Sequence, residues 1–541
     1  MSRDLVGLHR LGWATQGPAA HPARDGAVFP RRSMKDASGA SQMDATTQVT
    51  SLHGVSMLEA TQYPMEGNVC LALLHEPGGD NEWALVNVAI GAEVNLHDEP
   101  SLAAAQAARE AGSAPNSVIA GALSLIGPRR AEGARTAAKA LIERFAAAGL
   151  EDAQDESFDL KLVGVDRGTE LLLSDRPDPK AGAMLAGFER RGAKSVFVRY
   201  LESLGGNPRA DAVLAALTTT LAWAPLMQGR ISRFTAESLP WWMRLFGALI
   251  GASADALHHE PGRFHGLPNR EILDCRSLTE VAYLTLLGEN PQPSDLLAFR
   301  VLLGLLLSNG PGTISAQGAK GAVSADGPEN PARVQLNKAM VGFLTHTGYA
   351  HGGNGYHGIE FLIQQFRGTG LTDPADPDHG LDLCALAALH ATEYARYRSE
   401  RKSGGTAATR KIPGVNHPVF KDRSVNHDPR EVFVHDFFVQ RGEYNVFHEY
   451  YRALVQALFD AGASRNVYCV NVDAVIAALL LKLTWRRYRA GDMPVEALQT
   501  TAFSLFLYAR MLGCAAEIDD HLNRGRDMDT RTPASRCEFV A

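Results

Sequence analysis

The stretch KIPGVNHPVFKDRSVNHDPR, from Lys411 to Arg430, sets His417 in a loop framed by Pro413, Gly414 and Pro418 and ends on Asp428-Pro429-Arg430. Proline and glycine on both sides exclude a helix interior, so His417 is held in a stiff turn. Upstream, His351 lies in TGYAHGGNG, a Gly-rich turn that opens an apolar run of helical spacing. Downstream, Asp473 stands at the mouth of a third helix in CVNVDAVIAALLLKL. Two histidines and an aspartate thus occupy element ends, where side chains converge.

Four ordered motifs, His351 with Gly352 and Gly353, PGVNHPVFK with its DPR triplet, NVDAVIAALL, and YARMLG around Arg510, resemble those of the citrate synthase family. That family includes the citryl-CoA lyases and the C-terminal module of ATP-citrate lyase. The resemblance covers roughly residues 266–541 and rests on the order and spacing of the motifs together. It implies an all-α, citrate-synthase-like fold.

The chain has 541 residues, 45% of them hydrophobic, enough for several ordinary domains. Its 60 acidic residues against 53 Lys plus Arg, without a basic block, give no expectation of a nucleic-acid partner. Continuous apolar runs stay below the ~18 residues of a membrane span, so no membrane partner is expected either. Six scattered cysteines (Cys70, Cys275, Cys384, Cys469, Cys514, Cys537) without C-x-x-C spacing suggest reduced thiols and a cytoplasmic protein. The histidines show no H-x-x-x-H pair on one helix, and no metal or permanently bound cofactor is expected.

Residues 1–50, rich in Arg, Ala, Gly, Ser and Pro, read as a disordered tail. Beyond them the chain repeats itself. ADAVLAALTTTLAW (Ala210 to Trp223) matches VDAVIAALLLKLTW (Val472 to Trp485), pairing Asp211 with Asp473 and Trp223 with Trp485. Gly251 and Gly513, and His259 and His521, keep the same register, a fixed separation that chance similarity does not hold. Working backwards, Lys180 stands where Arg430 stands, Arg167 where His417 stands and Arg130 where His351 stands, while Ala248 replaces Arg510. Residues 51–265 therefore read as a degenerate copy and 266–541 as the catalytic copy, the two forming an intrachain pseudo-dimer open to further homo-oligomerisation. Leu/Ala-rich windows such as 101–111, 134–147, 336–345 and 443–461 predict helices throughout.

For an acyl-CoA substrate whose α-carbon must attack a ketone, a carboxylate base succeeds only where a fixed donor meets the developing enolate oxygen. The resemblance assigns the base to Asp473, the donor to His351 and the polarisation of the acceptor carbonyl to His417. It gives the carboxylates of oxaloacetate to Arg430 and Arg510, whose planar forks suit bidentate contacts. Asn309, in LLLSNGPGTISAQGAKG, stands where the family usually has a substrate-binding histidine. The family borrows one arginine from a neighbouring subunit; here the first copy is the candidate lender, through Arg263 or Arg270. Gly404 and Gly405, among Arg401, Lys402, Arg410 and Lys411, form a basic stretch suited to CoA phosphates or to plain solvation. Asp473 alone also suits a helix cap, and Arg510 alone a buried pair with Glu517 or Asp519. The activity implied is condensation of acetyl-CoA with oxaloacetate or a related 2-oxo acid. The alternatives are citryl-CoA cleavage and a non-catalytic CoA or citrate sensor.

Overall fold

Apolar helical spacing broken by Gly, Pro and capping residues becomes an all-α chain. The computed structural model describes residues 39–523, apart from 45, 48, 165–168, 328–332, 349–350, 403–410 and 418. The first ten helices are α1 (Met57–Ala60), α2 (Met65–Leu74), α3 (Asp80–Gly91), α4 (Pro100–Glu110), α5 (Pro115–Ser124), α6 (Pro128–Ala147), α7 (Pro179–Arg190), α8 (Val196–Ser203), α9 (Ala210–Met227) and α10 (Arg233–Ser253). A short α11 (Asn269–Asp274) leads to α12 (Leu278–Leu287), α13 (Pro293–Leu305), α14 (Ile314–Asp326), α15 (Leu336–Thr345) and α16 (Asn354–Phe366). The last five are α17 (Leu383–Lys402), α18 (Pro429–Val439), α19 (Val446–Asp460), α20 (Val472–Ala490) and α21 (Val495–Asn523).

Proline at the first position of α4, α5, α6, α7, α13 and α18 sets their starts, because its fixed φ suits the helix and its missing N–H is not needed there. Strands are confined to three small antiparallel sheets: β1 (Ser41–Met43), β2 (Thr50–Leu52) and β3 (Val55–Ser56); β4 (Leu173–Ser174) and β5 (Asn207–Pro208); and β6 (His259–Glu260), β7 (Arg263–Phe264) and β8 (Leu267–Pro268). In register, Ser41 lies opposite Leu52, Leu173 opposite Pro208 and His259 opposite Phe264.

The expectation of a tail does not hold from Ser41 on. Ser41 opens β1, and its backbone N–H donates to Glu517 Oε1 at 2.9 Å. The tie is polar and pairs with α21, so no apolar pattern announces it. Residues 1–38 and Cys537 lie outside the described residues, as do Arg167 and Pro418.

Helices of the two halves recur at stepwise constant separations. The starts of α2 and α12 (65 and 278) and of α3 and α13 (80 and 293) are both 213 residues apart. Those of α7 and α18 (179 and 429) and of α8 and α19 (196 and 446) are 250 apart, and those of α9 and α20 (210 and 472) and of α10 and α21 (233 and 495) are 262 apart.

Packing recurs with them. Phe197 meets Trp223 edge-on at 5.2 Å, and Phe447 meets Trp485 edge-on at 5.2 Å. Phe145 on Tyr200 (5.3 Å) is matched by Phe366 on Tyr450 (5.2 Å). Such edge-to-face pairs add about 0.5–1.5 kcal/mol each beyond area burial.

The halves meet where α5 lies against α15. Asn116 Nδ2, in the first turn of α5, donates to the carbonyls of Leu344 and Thr347 at the end of α15, at 3.0 and 3.1 Å. Asn337 Nδ2, in the first turn of α15, donates back to Ser124 O at the end of α5, at 3.2 Å. Each helix start thus donates to the end of the other helix.

At the centre, α9 and α21 are long and apolar enough to cross a membrane by length and composition, which a count of continuous apolar runs misses because polar residues interrupt them. Both are core helices here, and the apolar window of α21 is wholly buried. Close packing there depends on two glycines. A Cβ at Gly513 would overlap the carbonyl of Leu307, and one at Gly251 the carbonyl of Val94. Gly513→Ala is expected to lose about 1–3 kcal/mol to overpacking, read as a lowered thermal unfolding midpoint. Gly312→Ala, where an added Cβ meets nothing within 4 Å, should leave that midpoint unchanged.

Candidate active site

The site is assembled around the start of α20. Asn471 caps this helix, its Oδ1 accepting from the N–H groups of Asp473 (3.0 Å) and Ala474 (3.3 Å). The capping role that Asp473 alone would suit thus belongs to Asn471. The cap also fastens the His417 loop: Asn471 N–H donates to Gly414 O at 2.9 Å, Asn471 Nδ2 to Asn416 O at 2.8 Å, and Asn416 N–H to Cys469 O at 2.7 Å. Gly414, at φ +80°, has no room for a Cβ between Ala474 and Tyr451. Gly355 and Gly358 of α16 press in the same way on Ile476 and Ala477 of α20. Small residues on three segments thus bring the two histidine turns to the aspartate helix.

Asp473 lines a cavity of about 450 Å³ together with Lys411, Pro413, Gly414, His357 and Glu360. Lys411 is the described end of the basic stretch; Gly404, Gly405 and Arg410 lie outside the described residues.

His351 lies just before α16, its backbone bridged to Gly348. Its Nε2 is 2.8 Å from Ser315 Oγ, and its ring stands edge-on to Phe506 at 5.7 Å. When the serine hydroxyl donates to Nε2, the proton of the neutral ring sits on Nδ1, free to be given to a ligand oxygen. Burial, seconded by the Arg510 cation, lowers its pKa to about 4.

His417 accepts the Val419 N–H on Nδ1 at 3.1 Å, so its neutral form carries the proton on Nε2. Its pKa also falls to about 4, first through burial and then through Arg430, against the opposing pull of Asp428. Both imidazoles are therefore neutral hydrogen-bond donors at pH 7.

The two arginines differ in what holds them. Arg430, in the first turn of α18, is 8% exposed and is gripped by Asp428 through Nε (2.9 Å) and Nη2 (2.7 Å). Its Nη1 reaches Asn309 Oδ1 at 3.4 Å, which places Asn309 in the cluster as a neutral partner. Arg510 is 2% exposed, donating from Nη1 to Leu307 O at 3.1 Å and from Nη2 to Thr313 Oγ1 at 3.0 Å. Its Nε has no partner, and no ion pair holds it among the described residues. The pair expected with Glu517 or Asp519 does not form. Glu517 is bound to Lys320 at 3.2 Å, and Asp519 accepts from Thr235 Oγ1 and Asn523 Nδ2 at 2.9 Å each. Glu517 acts on the guanidinium only at longer range, and a buried cation without a direct ion pair carries a desolvation cost that an incoming carboxylate would offset.

The expected lenders of an arginine stay away from this cluster. Arg263 is exposed and donates to Gly266 O in its own hairpin, and Arg270 pairs with Asp274. The reason is local: Asn95 Nδ2 donates to Glu260 O and Arg263 O, and His259 accepts the Leu96 N–H, so β6–β8 fold onto the loop after α3 of the first half. Ser315 and Thr313, which hold His351 and Arg510, were missed in the sequence. Their signal was Thr313 at the N-cap of an apolar run in TISAQGAKG, too common a pattern to single out.

No family model matches the chain, and no curated protein matches it. Among solved structures it is similar to citrate synthase from Pyrobaculum aerophilum at 13% identity, over 94% of this chain and 90% of that one, with a TM-score of 0.48. It is similar to citrate synthase from Thermoplasma acidophilum, solved with carboxymethyl coenzyme A and oxaloacetate, at 13% identity over 93% of each chain, with a TM-score of 0.47. Citryl-CoA lyase from Hydrogenobacter thermophilus matches 51% of this chain and 89% of its own at 18% identity, with a TM-score of 0.37.

Two outcomes are expected. Arg510→Ala weakens binding of a small dicarboxylate by roughly 10- to 100-fold in calorimetry, from about 1.5–3 kcal/mol for a hydrogen bond to a charged group, whereas Arg263→Ala leaves it unchanged. The depressed histidines also set a sign for stability. Their contribution is complete above the unfolded pKa of about 6.5 and is lost as pH falls through about 4, because the unfolded chain takes up the protons first. Replacing His351 and His417 with Gln should flatten the acid side of the unfolding profile.

Proposed function

We propose that the chain is a citrate synthase-type acyltransferase that joins the α-carbon of acetyl-CoA to the ketone of oxaloacetate or a related 2-oxo acid. The observation that carries this reading is Arg510, a buried guanidinium without an acidic partner among the described residues, set beside a neutral histidine. Such a group suits a ligand carboxylate.

In this reading Arg510 takes one carboxylate of the acceptor, and Arg430 Nη1 with Asn309 takes the other. Asp473 removes the α-proton of the thioester, and His351 donates to the enolate oxygen as charge develops there. His417 gives its Nε2–H to the ketone oxygen, making the acceptor carbon more electrophilic as the bond forms. Water then releases CoA from the citryl thioester. A neutral imidazole costs less to bury than a charged one and still donates one hydrogen bond.

The cavity beside Asp473, walled by Pro413, Gly414 and Ile412 with Lys411 at hand, supports entry of the thioester arm from that side. The recurring helices, aromatic pairs and glycine contacts support two copies of one unit within the chain. Loss of both histidines from residues 51–265 leaves 266–541 as the working copy.

Free-thiol release with acetyl-CoA and oxaloacetate, run beside citryl-CoA cleavage, tests this reading. Release that needs oxaloacetate, falls at least about 100-fold in His351→Ala and falls again in Asp473→Asn is expected. Silence there with citryl-CoA cleavage assigns the same residues to a lyase. Silence in both, with dicarboxylate binding intact, leaves a sensor.

A further inference from the structure

The first half holds a second cluster of charged groups, several of them at positions that match the candidate active site, and among the described residues its charges are answered from within. Asp178-Pro179-Lys180 opens α7 as Asp428-Pro429-Arg430 opens α18: both aspartates cap their helices, accepting the N–H two residues on at 3.0 Å. Lys180 Nζ, matching Arg430, pairs with Glu93 Oε2 at 2.8 Å. Arg244 of α10 reaches Glu93 Oε1 at 3.5 Å and pairs with Asp211, the counterpart of Asp473. Arg130, the counterpart of His351, pairs with Glu99, and its carbonyl accepts from Arg244. Glu93 and Arg244 side chains are each only 12% exposed.

Glu93 has a definite place in the register. It precedes Val94, whose carbonyl meets Gly251, as Leu306 precedes Leu307, whose carbonyl meets Gly513. The second half therefore has a leucine where the first has a carboxylate, and its buried Arg510 has no direct ion pair among the described residues. Gly247 makes room for Glu93, since a Cβ there would overlap it.

We infer that Glu93 is a built-in ligand. Its carboxylate fills, between Lys180 and Arg244, an anion site in the first half of the kind that the second half leaves open for its substrate, so the chain binds one dicarboxylate rather than two. This rests on the two-copy reading above and not on the reaction assigned to the second copy. The latent site would take a small aliphatic carboxylate once the glutamate side chain is removed.

The test is rescue of Glu93→Ala by propionate, which restores the missing carboxylate. Without propionate, Glu93→Ala unfolds at a lower temperature than wild type, because Lys180 and the largely buried Arg244 lose this partner. With about 50 mM propionate its midpoint is expected to rise at least twice as far as that of wild type and to saturate, and Glu93→Gln, which keeps the space filled, should not gain beyond wild type. Thiol release by Glu93→Ala should stay within about twofold of wild type, since the residue is not in the second-half site. Equal propionate shifts in all three proteins overturn the inference. Should Glu93→Ala be insoluble, calorimetry of the wild-type chain with oxaloacetate decides. One site per chain supports the filled first half and two sites overturn it. No binding at all defeats the function proposed for the second half while agreeing with a first half already filled.

Discussion

A glycine set against a carbonyl is the contact on which both halves turn. In α21, Gly513 lets Leu307 O approach so closely that no side chain fits, and that same carbonyl receives Nη1 of Arg510, one turn earlier on the helix. The backbone contact and the arginine therefore define one another: the loop after α13 cannot move away from α21 without breaking both. The loop in turn carries Asn309 to Arg430 and Thr313 to Arg510, so one close approach sets the arginine end of the candidate site. In the first half Gly251 and Val94 O make the matching contact, but Ala248 offers nothing to the carbonyl.

The charged clusters of the two halves of the chain differ in how they are balanced. In the first, Lys180, Arg244 and Arg130 face Glu93, Asp211 and Glu99, and the cluster is electrically closed. Burial alone would push the Glu93 carboxyl upward, yet Lys180 and then Arg244 hold it below the ordinary carboxylate range. In the second, Asp428 answers Arg430 only, and Arg510 rests on a carbonyl and a hydroxyl. An electrically closed cluster adds rigidity, whereas an open one stores an unmet preference for an anion.

Much of this was legible in the sequence because it depends on spacing. His351, His417, Asp473, Arg430 and Arg510 lie at element ends or on a regular helix, and the helices over 336–345 and 443–461 follow their apolar period closely. What escaped depends on tertiary contact. The helix α10 is masked by Pro240, which would ordinarily break it; its ring is wholly buried there within a continuous helix. Asn471 precedes Asp473 by two residues, and only cap geometry tells which of them closes the helix. Glu93 and Arg244 are far apart in the chain, and neither sits in a motif. The course of the Arg263 hairpin was hidden for a similar reason, since the direction of β6–β8 is decided by Asn95 and not by anything in the hairpin itself.

The histidines show why burial and charge must be weighed together. For both rings burial is the larger influence on the pKa and the neighbouring arginine the smaller. A carboxylate arriving at Arg510 or Arg430 would cancel part of the cation's influence, but it would also displace water and deepen the burial. The larger influence therefore persists in the occupied site, and the imidazoles remain neutral donors when a ligand is bound. An exposed histidine beside the same arginine would lack that protection, because solvent would screen the cation and the arriving anion would tip the ring towards its charged form. Depth, set by the glycine contacts of α16 and α21, is thus what keeps the two rings neutral hydrogen-bond donors.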